Sequence, residues 1–336
     1  MKRIVVTGAT SMIGIALIEE CIKNDVEVLA IIRKNSNRLY RLPQSELLHI
    51  VECDLDELET ISSEKSYDVF YHLAWAYTSK EYRDDPILQE KNIRYTLDAV
   101  NLAKKLGCGK FVGAGSQAEY GKVDHIITPD TPVFPSTAYG MAKYAAGRLS
   151  EKLCSQYNLV HVWGRIFSVY GRYDNEGTML EYAIKQFIKG EKAIFSAAVQ
   201  IWNYLYEDDA GKIFYLLGEK NVIGGIYAIA NYESKILRQY IEEMVKVYGG
   251  KVNYEFAPID AKKSELNLNV DTSKTIQAVG YIPQVTFSEG ISKMITYLRL
   301  KNSGGVRILV LPCYLSTAVL VYSYCDVGTS KERCVA

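Results

Sequence analysis

Near its N-terminus the chain reads Ile4-Val5-Val6-Thr7-Gly8-Ala9-Thr10-Ser11-Met12-Ile13-Gly14 and then follows a helical pattern as far as Lys23. A short apolar strand, a glycine-bearing turn and a helix in this order are typical of a unit that binds a dinucleotide. Gly8 permits the tight turn, backbone amides face the pyrophosphate, and Gly14 lets the helix pack closely. Ser11 occupies a position where a third glycine is common, and its hydroxyl could itself contact phosphate. The predicted cofactor-binding residues of this turn are Gly8, Thr10, Ser11, Met12, Ile13 and Gly14.

The end of the second predicted strand bears on which nicotinamide dinucleotide binds. Residues 26–32 are nearly all apolar, as a buried parallel strand should be, and Arg33 and Lys34 follow them in place of an acidic residue. An acidic side chain there would bind the ribose 2′-hydroxyl of NAD, whereas an arginine accommodates the 2′-phosphate of NADP. We therefore predict NADP as the cofactor, bound by Arg33, with NAD as the alternative. Two solvated cations at a strand end are the competing interpretation.

Further apolar runs alternate with helical ones along the first half of the chain. They cover residues 48–55, 67–73 and 110–116, and a helix that holds Asn92 precedes the last of them. This alternation predicts an α/β fold with a Rossmann-type doubly wound parallel sheet, which binds ligands beyond the carboxyl ends of its strands. Further cofactor-binding residues predicted at those ends are Asp54, Leu55, Leu73 and Ala74.

A second functional pattern lies at residues 135–146, which read Pro-Ser-Thr-Ala-Tyr-Gly-Met-Ala-Lys-Tyr-Ala-Ala. Ser136 and Thr137 are good N-cap residues, so Tyr139 and Lys143 should lie on one helical face. A nearby ammonium favours phenolate, and we expect Lys143 to lower the pKa of Tyr139 from about 10 towards neutrality, where a phenol works as an acid. A lone Tyr-x-x-x-Lys is more often solvated surface, but a serine also ends the strand upstream. The predicted catalytic set is Ser116, Tyr139 and Lys143.

Composition and charge exclude several classes of function. Of the 336 residues, 39 are Lys or Arg and 39 are Asp or Glu, so the formal net charge is zero and no footprint for nucleic acid is evident. The seven cysteines and four histidines show no metal-ligand spacing, so no metal site is predicted. The N-terminus runs straight into a strand without signal-peptide architecture, and we therefore expect a cytoplasmic protein.

Taken together, these segments resemble the extended short-chain dehydrogenase/reductase family, the NAD(P)-dependent epimerases, dehydratases and reductases of sugar nucleotides. Matching motifs occur in the family's order at residues 7–14, 54, 72–74, 92, 115–121, 139–143, 164–171, 208–209 and 271–283. The resemblance implies that Tyr139 is the acid/base on a sugar oxygen, that Lys143 holds the nicotinamide ribose and that Ser116 hydrogen-bonds the reacting oxygen. It also implies a nucleotide-sugar substrate and a homodimer, in which Ala142, Ala145, Ala146 and Gly147 would permit close helix packing.

A few positions bear on the subclass within that family. The 4,6-dehydratases carry an Asp-Glu pair directly after the serine or threonine, whereas Gln117 and Ala118 stand here, so dehydration is not expected. The segments 115–121 and 200–206, together with Arg33, look more like the reductases of 4-keto-6-deoxyhexose nucleotides. A reductase that acts at C4 is therefore the prediction. A nucleotide-sugar 4-epimerase with tightly bound NAD is the first alternative, and a non-catalytic dinucleotide-sensing protein is the second.

The predicted substrate contacts follow from the same resemblance. In many epimerases an arginine in the segment that matches residues 200–206 clamps the diphosphate, and Trp202 occupies that neighbourhood here. Arg172 or Lys192 could supply the missing charge. The predicted substrate-binding residues are Gln117, Arg172, Gln200 and Trp202.

The chain divides into three predicted parts. Residues 1–165 should form the dinucleotide-binding domain, and residues 166–300 a smaller substrate lobe interleaved with it. Residues 301–336 fit neither part, because residues 308–324 carry no charge and are interrupted by Pro312, and because three of the seven cysteines lie in the last 24 positions. This run is too short and too polar for a typical membrane anchor, so we expect a poorly ordered extension and no membrane association.

Overall fold

The computed structural model describes residues 1–259 and 266–302. The predicted extension at 301–336 therefore lies outside the described residues, apart from its first two positions. The strands are β1 (Arg3–Thr7), β2 (Glu27–Ile32), β3 (Leu48–Glu52), β4 (Val69–His72), β5 (Lys110–Ser116), β6 (Val160–Ile166), β7 (Ser168–Tyr170), β8 (Ala193–Phe195), β9 (Ile201–Trp202), β10 (Tyr204–Tyr206), β11 (Gly225–Ile229), β12 (Lys235–Ile236) and β13 (Tyr254–Phe256). The helices are α1 (Met12–Lys23), α2 (Pro86–Lys105), α3 (Ala138–Gln156), α4 (Met179–Lys189), α5 (Glu207–Glu219), α6 (Leu237–Tyr248), α7 (Ser273–Val279) and α8 (Phe287–Asn302).

One parallel sheet organises the larger part of the molecule. Its strand order is β11-β6-β5-β4-β1-β2-β3, and every neighbouring pair is parallel. The chain first winds outward from β1 through β2 to β3 and then crosses back to β4, so the switch point lies between β1 and β4. The predicted α/β fold with a doubly wound parallel sheet is therefore confirmed. Gly8, Arg33, Leu73 and Ser116 follow or end their strands at the same edge.

Helices cover both faces of this sheet because alternate residues of each strand point to opposite sides. Ile4 and Val6 of β1 belong to the core that α1 and α5 cover. Val5 faces the other core, where α2 and α3 pack together. Residues 4–6 of β1 are thus apolar on both sides of the sheet, which explains why this part of the strand shows no polar alternation.

The smaller lobe combines helices with short strand pairs. Helices α4, α6 and α8 pack around a third core that includes Ile184, Phe187, Ile241 and Met294. The pairs β7–β10, β8–β13 and β9–β12 complete this lobe. Between them the chain returns to the sheet, where α5 packs on α1 and β11 adds an edge strand. Within the described ranges, no helix has the length and the apolar character that a membrane crossing requires.

The small residues of α3 pack inside their own chain. Ala142, Ala146 and Gly147 are buried, and a Cβ on Gly147 would lie 2.8 Å from the Trp163 ring. These three residues therefore pack within their own chain, with Gly147 against Trp163 of β6, and the homodimer stays a prediction. The outward face of α3 carries Met141, with an exposed fraction of 52%, and Leu149.

Candidate active site

The glycine turn after β1 allows three backbone segments to approach closely. Gly8 has a φ of +74°, and a Cβ there would lie 2.6 Å from the nitrogen of Ala74. A Cβ on Gly14 would lie 2.4 Å from the carbonyl oxygen of Gly8. Both positions therefore require glycine, and the turn brings the start of α1 against the end of β4, where Leu73 and Ala74 lie.

The start of α1 has the donors that a pyrophosphate needs. Ser11 is the N-cap, and its hydroxyl accepts a hydrogen bond of 3.1 Å from the amide of Gly14. Every residue in the first turn of α1 is described, and none of them has an acidic side chain. The amides of Met12 and Ile13 have no acceptor within their own helix, and the helix dipole favours an anion at this end. This donor set and the glycine turn, with Thr10 half-buried beside the cap, fit the phosphates of a dinucleotide.

Three arginines come together beyond the end of β2. Arg33 directly follows the strand, and Arg38 and Arg41 lie in the loop after it. Partial burial, together with the charges of Arg41 and Arg33, holds the pKa of Arg38 below its usual value. Asp54 lies at the same edge and accepts a hydrogen bond of 3.2 Å from the amide of Lys34. Sequence reasoning found Arg33 and Asp54 but missed Arg38 and Arg41, for which no motif exists.

The segment after β4 is tied down by two side chains of α2. Asn92 accepts a hydrogen bond of 2.7 Å from the amide of Ala76 and donates one of 3.1 Å to its carbonyl oxygen. Gln89 accepts one of 2.9 Å from the indole of Trp75. Leu73 and Ala74 therefore have a fixed path beside the glycine turn, while the Trp75 ring is held over the start of α3.

The predicted catalytic set comes together at the carboxyl end of β5. Thr137 caps α3 by accepting a hydrogen bond of 3.1 Å from the amide of Gly140, and Tyr139 and Lys143 follow on the first turns. The Ser116 side chain lies close enough to the Tyr139 phenol to favour the ionised form of that phenol. The Nζ atom of Lys143 donates a hydrogen bond of 2.5 Å to the carbonyl oxygen of Ala114 in β5. Helix α3 thus presents a phenol and an amine beside the serine of the neighbouring strand.

Burial dominates the electrostatics of this set. It raises the pKa of Tyr139 above its usual value, although the nearby charge of Arg83 and the hydrogen bond from Ser116 act in the opposite direction. It also lowers the pKa of Lys143 to about 7, against the influence of Glu119. The expectation that Lys143 brings the pKa of Tyr139 towards neutrality is therefore wrong for the protein alone. The physical reason is that desolvation disfavours both charged forms at once.

Glu119 is a buried carboxylate that sequence reasoning did not assign. One of its oxygens accepts hydrogen bonds from the Ser116 amide at 2.8 Å and from the Trp163 indole at 3.0 Å. The other accepts one of 2.7 Å from the Nε atom of Arg165. Glu119 therefore fixes the backbone of Ser116 to β6. The spacing Ser116-x-x-Glu119, which is a capping-box pattern, is the signal that could have revealed this contact.

The four predicted substrate residues have different surroundings. Gln117 opens the short turn after Ser116 and is partly exposed. Gln200 precedes β9 and Trp202 ends it. Oε1 of Gln200 and Nε1 of Trp202 are buried without a hydrogen-bond partner among the described residues. The Arg172 guanidinium is engaged by Glu207 and Glu19, at 2.6 and 3.0 Å. Arg172 thus joins the small lobe to α1, and its charge is already balanced.

Within residues 1–259 and 266–302, no three His, Cys, Asp or Glu side chains form a group that could hold a metal ion. Three features together define a short-chain dehydrogenase/reductase. They are the doubly wound sheet, the glycine turn after its first strand, and the serine, tyrosine and lysine at the same edge of the sheet. The chain belongs, more narrowly, to the NAD dependent epimerase/dehydratase family, whose model matches residues 4–230. The resemblance to the extended members of the larger family is therefore confirmed.

Curated relatives of different named activities match over nearly the whole chain. The dTDP-glucose 4,6-dehydratase of Haemophilus influenzae is 24% identical, over 90% of this chain and 99% of the relative. A putative UDP-glucose 4-epimerase of Methanocaldococcus jannaschii is 23% identical, over 89% of this chain and 99% of the relative. The two names describe different reactions, so these matches do not decide between a dehydratase and an epimerase.

Solved structures agree with the fold. The UDP-N-acetylglucosamine 4-epimerase from Methanobrevibacter ruminantium superposes with a TM-score of 0.80 at 21% identity, covering 89% of this chain and 99% of that one. The UDP-glucuronic acid 4-epimerase from Bacillus cereus, solved in complex with NAD, gives a TM-score of 0.77 at 23% identity, covering 90% and 98%. At such identities the likeness shows a common fold.

Proposed function

We propose that this protein is an NAD(P)-dependent enzyme that reduces a 4-keto-6-deoxy nucleotide sugar at C4. The observation that carries the proposal is the position of Ser116 beside the Tyr139 phenol, with Lys143 one turn further along α3, at the sheet edge that also carries the glycine turn. The class of substrate is supported by the names of the relatives, which include enzymes of dTDP-glucose and UDP-glucose.

Each residue of the set has a distinct task in this reaction. When bound, the reduced nicotinamide supplies a hydride to the carbonyl carbon. Tyr139 donates its phenolic proton to the carbonyl oxygen, and the Ser116 hydroxyl holds that oxygen in place. Lys143, one turn further along α3, is placed to hold the nicotinamide ribose. Gln117, Gln200 and Trp202 are the proposed substrate contacts, and Arg172 is left out because its charge is balanced by carboxylates.

The surroundings of Ser116 argue against dehydration. Elimination of water needs an acid and a base that reach the sugar, and Gln117 and Ala118 can be neither. Glu119 is a carboxylate, but only 1% of it is exposed and its oxygens are taken by Ser116, Trp163 and Arg165. Hydride transfer, with or without its return, is the chemistry that remains. A 4-epimerase with tightly bound NAD is the second candidate, because several relatives carry that name.

The arginines beyond β2 support NADP as the preferred cofactor. The charges of Arg33 and Arg41 both act on Arg38, and guanidinium groups at this strand end suit a phosphate. Asp54 is the only acidic residue among those predicted at this edge, and it is engaged by the Lys34 amide. NAD is the alternative, since the Bacillus cereus structure contains it. We also propose a homodimer that buries Met141 and Leu149 on the outward face of α3.

The test offers NADPH or NADH to the purified chain together with a 4-keto-6-deoxy nucleotide sugar, and follows nicotinamide absorbance. Stoichiometric oxidation of NADPH is the expected result, and Arg33→Gln should raise the KM for NADPH more than that for NADH. Protein that arrives with bound NAD and interconverts UDP-glucose and UDP-galactose without net oxidation would be an epimerase. Tyr139→Phe should lose turnover but keep cofactor binding, whereas a sensor would show no turnover in either form.

A further inference from the structure

We propose that Trp75 is a positioning residue for Lys143, whose ammonium group rests on the face of the indole ring. The inference rests on the proposed function, in which Lys143 holds the nicotinamide ribose beside Tyr139. Trp75 lies one position beyond the matching motif at residues 72–74, in the segment between β4 and α2.

The amine of Lys143 lies between an aromatic ring and a carbonyl group. Its Nζ atom is 3.7 Å from the centroid of the Trp75 ring, well within the distance of about 6 Å at which an aromatic face attracts a cation. It also donates a hydrogen bond of 2.5 Å to the carbonyl oxygen of Ala114. Lys143 is only 3% exposed, so its charge has little access to water. A buried ammonium needs compensation, and the ring face provides part of it.

Gln89 holds the Trp75 ring in this position. The indole Nε1 atom donates a hydrogen bond of 2.9 Å to Oε1 of Gln89. The side-chain nitrogen of Gln89 donates to the carbonyl oxygens of Tyr77 and Tyr82, at 2.8 and 3.1 Å. Because the backbone engages both amide hydrogens, the oxygen of Gln89 must face the indole. Gln89 is only 1% exposed, so this network fixes the orientation of the ring.

The same ring also meets the catalytic phenol. The ring centroids of Trp75 and Tyr139 lie 5.9 Å apart, and the ring planes form an angle of 80°, which is the edge-to-face arrangement that aromatic pairs prefer. The Nζ atom of Lys143 lies 5.9 Å from the Tyr139 centroid. One indole therefore contacts both members of the pair and sets how the amine lies relative to the phenol.

The charged and titratable groups around Lys143 lie on several elements. Glu119, in the turn after β5, favours the ammonium but is engaged in its own ion pair. Arg83, in the segment before α2, opposes the ammonium. His72 of β4 is buried, and the charge of Lys143 favours its neutral form. The catalytic phenol lies one turn earlier on α3 itself. Because the carboxylate is engaged elsewhere, the indole ring gives the amine its close attraction.

An aromatic face suits this amine better than a carboxylate would. An ammonium has three N–H donors, and a carboxylate would engage them in an ion pair. The ring attracts the charge without an accepting oxygen, and the Ala114 carbonyl takes one donor. A donor of Lys143 therefore remains for the ribose hydroxyls in the proposed complex.

The size of the expected effect follows from the burial of this contact. A desolvated cation–π contact is among the stronger ones, and its loss should lower the pKa of Lys143 by about one unit. That shift is about a tenfold decrease in the ratio of ammonium to neutral amine. Burial already lowers the pKa of Lys143 to about 7, so the change falls in a pH range that is accessible with the folded protein.

The experiment reads the protonation of Lys143 directly and needs no substrate. The full chain is labelled with a carbon isotope at the lysine ε position, and the signal that is absent from Lys143→Met is that of Lys143. Carbon NMR follows its pH titration in the parent and in chains with mono-, di- or trifluorotryptophan at position 75. Fluorine draws electron density from the ring face but keeps the shape and the N–H group of the indole. Tyr82→Leu is the matched control, since it removes an exposed ring from the same segment.

We expect the titration midpoint to fall with each added fluorine, to about one pH unit below the parent for the trifluorinated ring, and to stay unchanged in Tyr82→Leu. A midpoint that does not respond to fluorination, or that falls equally in Tyr82→Leu, would overturn the proposal. The alkaline limb of the pH–rate profile for NADPH oxidation should move to lower pH in the same order. If the midpoint responds but no form of the protein reduces a nucleotide sugar, the proposed function fails while the role of Trp75 stands.

Discussion

The Nε atom of Arg165 donates a hydrogen bond of 2.7 Å to Oε2 of Glu119, and both side chains are almost completely buried. The pair lies directly behind Ser116, whose amide is bonded to the other oxygen of the same carboxylate. The guanidinium also lies 4.3 Å from the centroid of the Tyr120 ring. The two charges compensate each other, although Nη1 of Arg165 has no hydrogen-bond partner among the described residues. Either side chain alone would be a buried charge without compensation.

Arg165→Met should therefore lower the free energy of unfolding by about 3–5 kcal/mol, because it leaves the Glu119 carboxylate buried without its counter-charge. The double variant Arg165→Met/Glu119→Gln should recover part of this loss, since the amide oxygen can still accept from Ser116 and Trp163. Urea unfolding of the single and double variants measures both values. A loss below about 1 kcal/mol in Arg165→Met would show that the pair contributes little.

Lys110 connects the sheet to the end of a helix. From β5 its Nζ atom donates hydrogen bonds to the carbonyl oxygens of Leu217, Gly218 and Lys220, at 3.0, 2.8 and 2.6 Å. These carbonyls lie at the C-terminal end of α5, where the last carbonyls of a helix have no amide partner in the helix itself and the helix dipole favours a cation. Lys110→Met should lower the free energy of unfolding by about 2 kcal/mol.

A matched control for Lys110 lies one helix away. Lys104 donates a single hydrogen bond of 3.3 Å to the carbonyl oxygen of Tyr157 and is exposed. Lys104→Met should change the free energy of unfolding by less than about 0.5 kcal/mol. Equal effects of the two substitutions in the same unfolding assay would contradict the capping role of Lys110.

The fold and part of the site could be predicted because their signals are local or periodic. The glycine turn and the capped helix with Tyr139 and Lys143 each fit within one segment, and the strand-end rule for parallel sheets then brings Ser116 to Tyr139. The contact of Arg83 with Tyr139 and that of Arg165 with Glu119 could not be predicted. Each joins segments that are far apart in the sequence, and no residue spacing indicates such a contact. The direction of the Tyr139 pKa also escaped prediction, since it depends on burial and not on the neighbour at i+4.

Two buried histidines should make the protein less stable in mild acid. Burial lowers the pKa of His72 to about 3 and that of His161 to about 4, from a usual value near 6.5. Below pH 6.5 the unfolded chain therefore binds protons that the folded chain does not, so the free energy of unfolding falls as the pH falls. Each histidine should contribute about 1 kcal/mol per unit between pH 6 and 5. Asp174 acts in the opposite direction, because burial raises its pKa to about 6.

His161→Phe isolates one of these contributions. His161 is stacked between Phe111 and Trp163, so a phenylalanine keeps the ring contacts, and Ser150, which loses its 2.9 Å partner, can still donate to the carbonyl oxygen of Gly147. The slope of unfolding free energy against pH should decrease by about 1 kcal/mol per unit between pH 6 and 5. An unchanged slope in urea titrations at the two pH values would mean that His161 is protonated in the folded protein.

A comparison of Gly8 with Gly190 tests the glycine turn. It separates the backbone strain of a positive φ from the close approach of neighbouring backbone. Its φ of +74° is nearly that of Gly190, +72°, at the end of α4. A Cβ on Gly190 would meet nothing within 4 Å, whereas a Cβ on Gly8 would meet the backbone of Leu73 and Ala74 at 2.7 and 2.6 Å. Gly190→Ala should therefore cost only the backbone strain, about 1 kcal/mol, while Gly8→Ala should cost about 3 kcal/mol.

The same two variants separate stability from cofactor binding. Gly8→Ala must push β1 and the end of β4 apart, which displaces the amides of α1 from the phosphates, so its affinity for NADPH should fall at least about tenfold. Gly190→Ala lies in the small lobe and should bind NADPH as the parent does. Fluorescence titration of NADPH, run beside urea unfolding, measures both. If Gly8→Ala is destabilised as expected but binds NADPH normally, then the turn serves the packing of β1 against β4 and the pyrophosphate is held elsewhere.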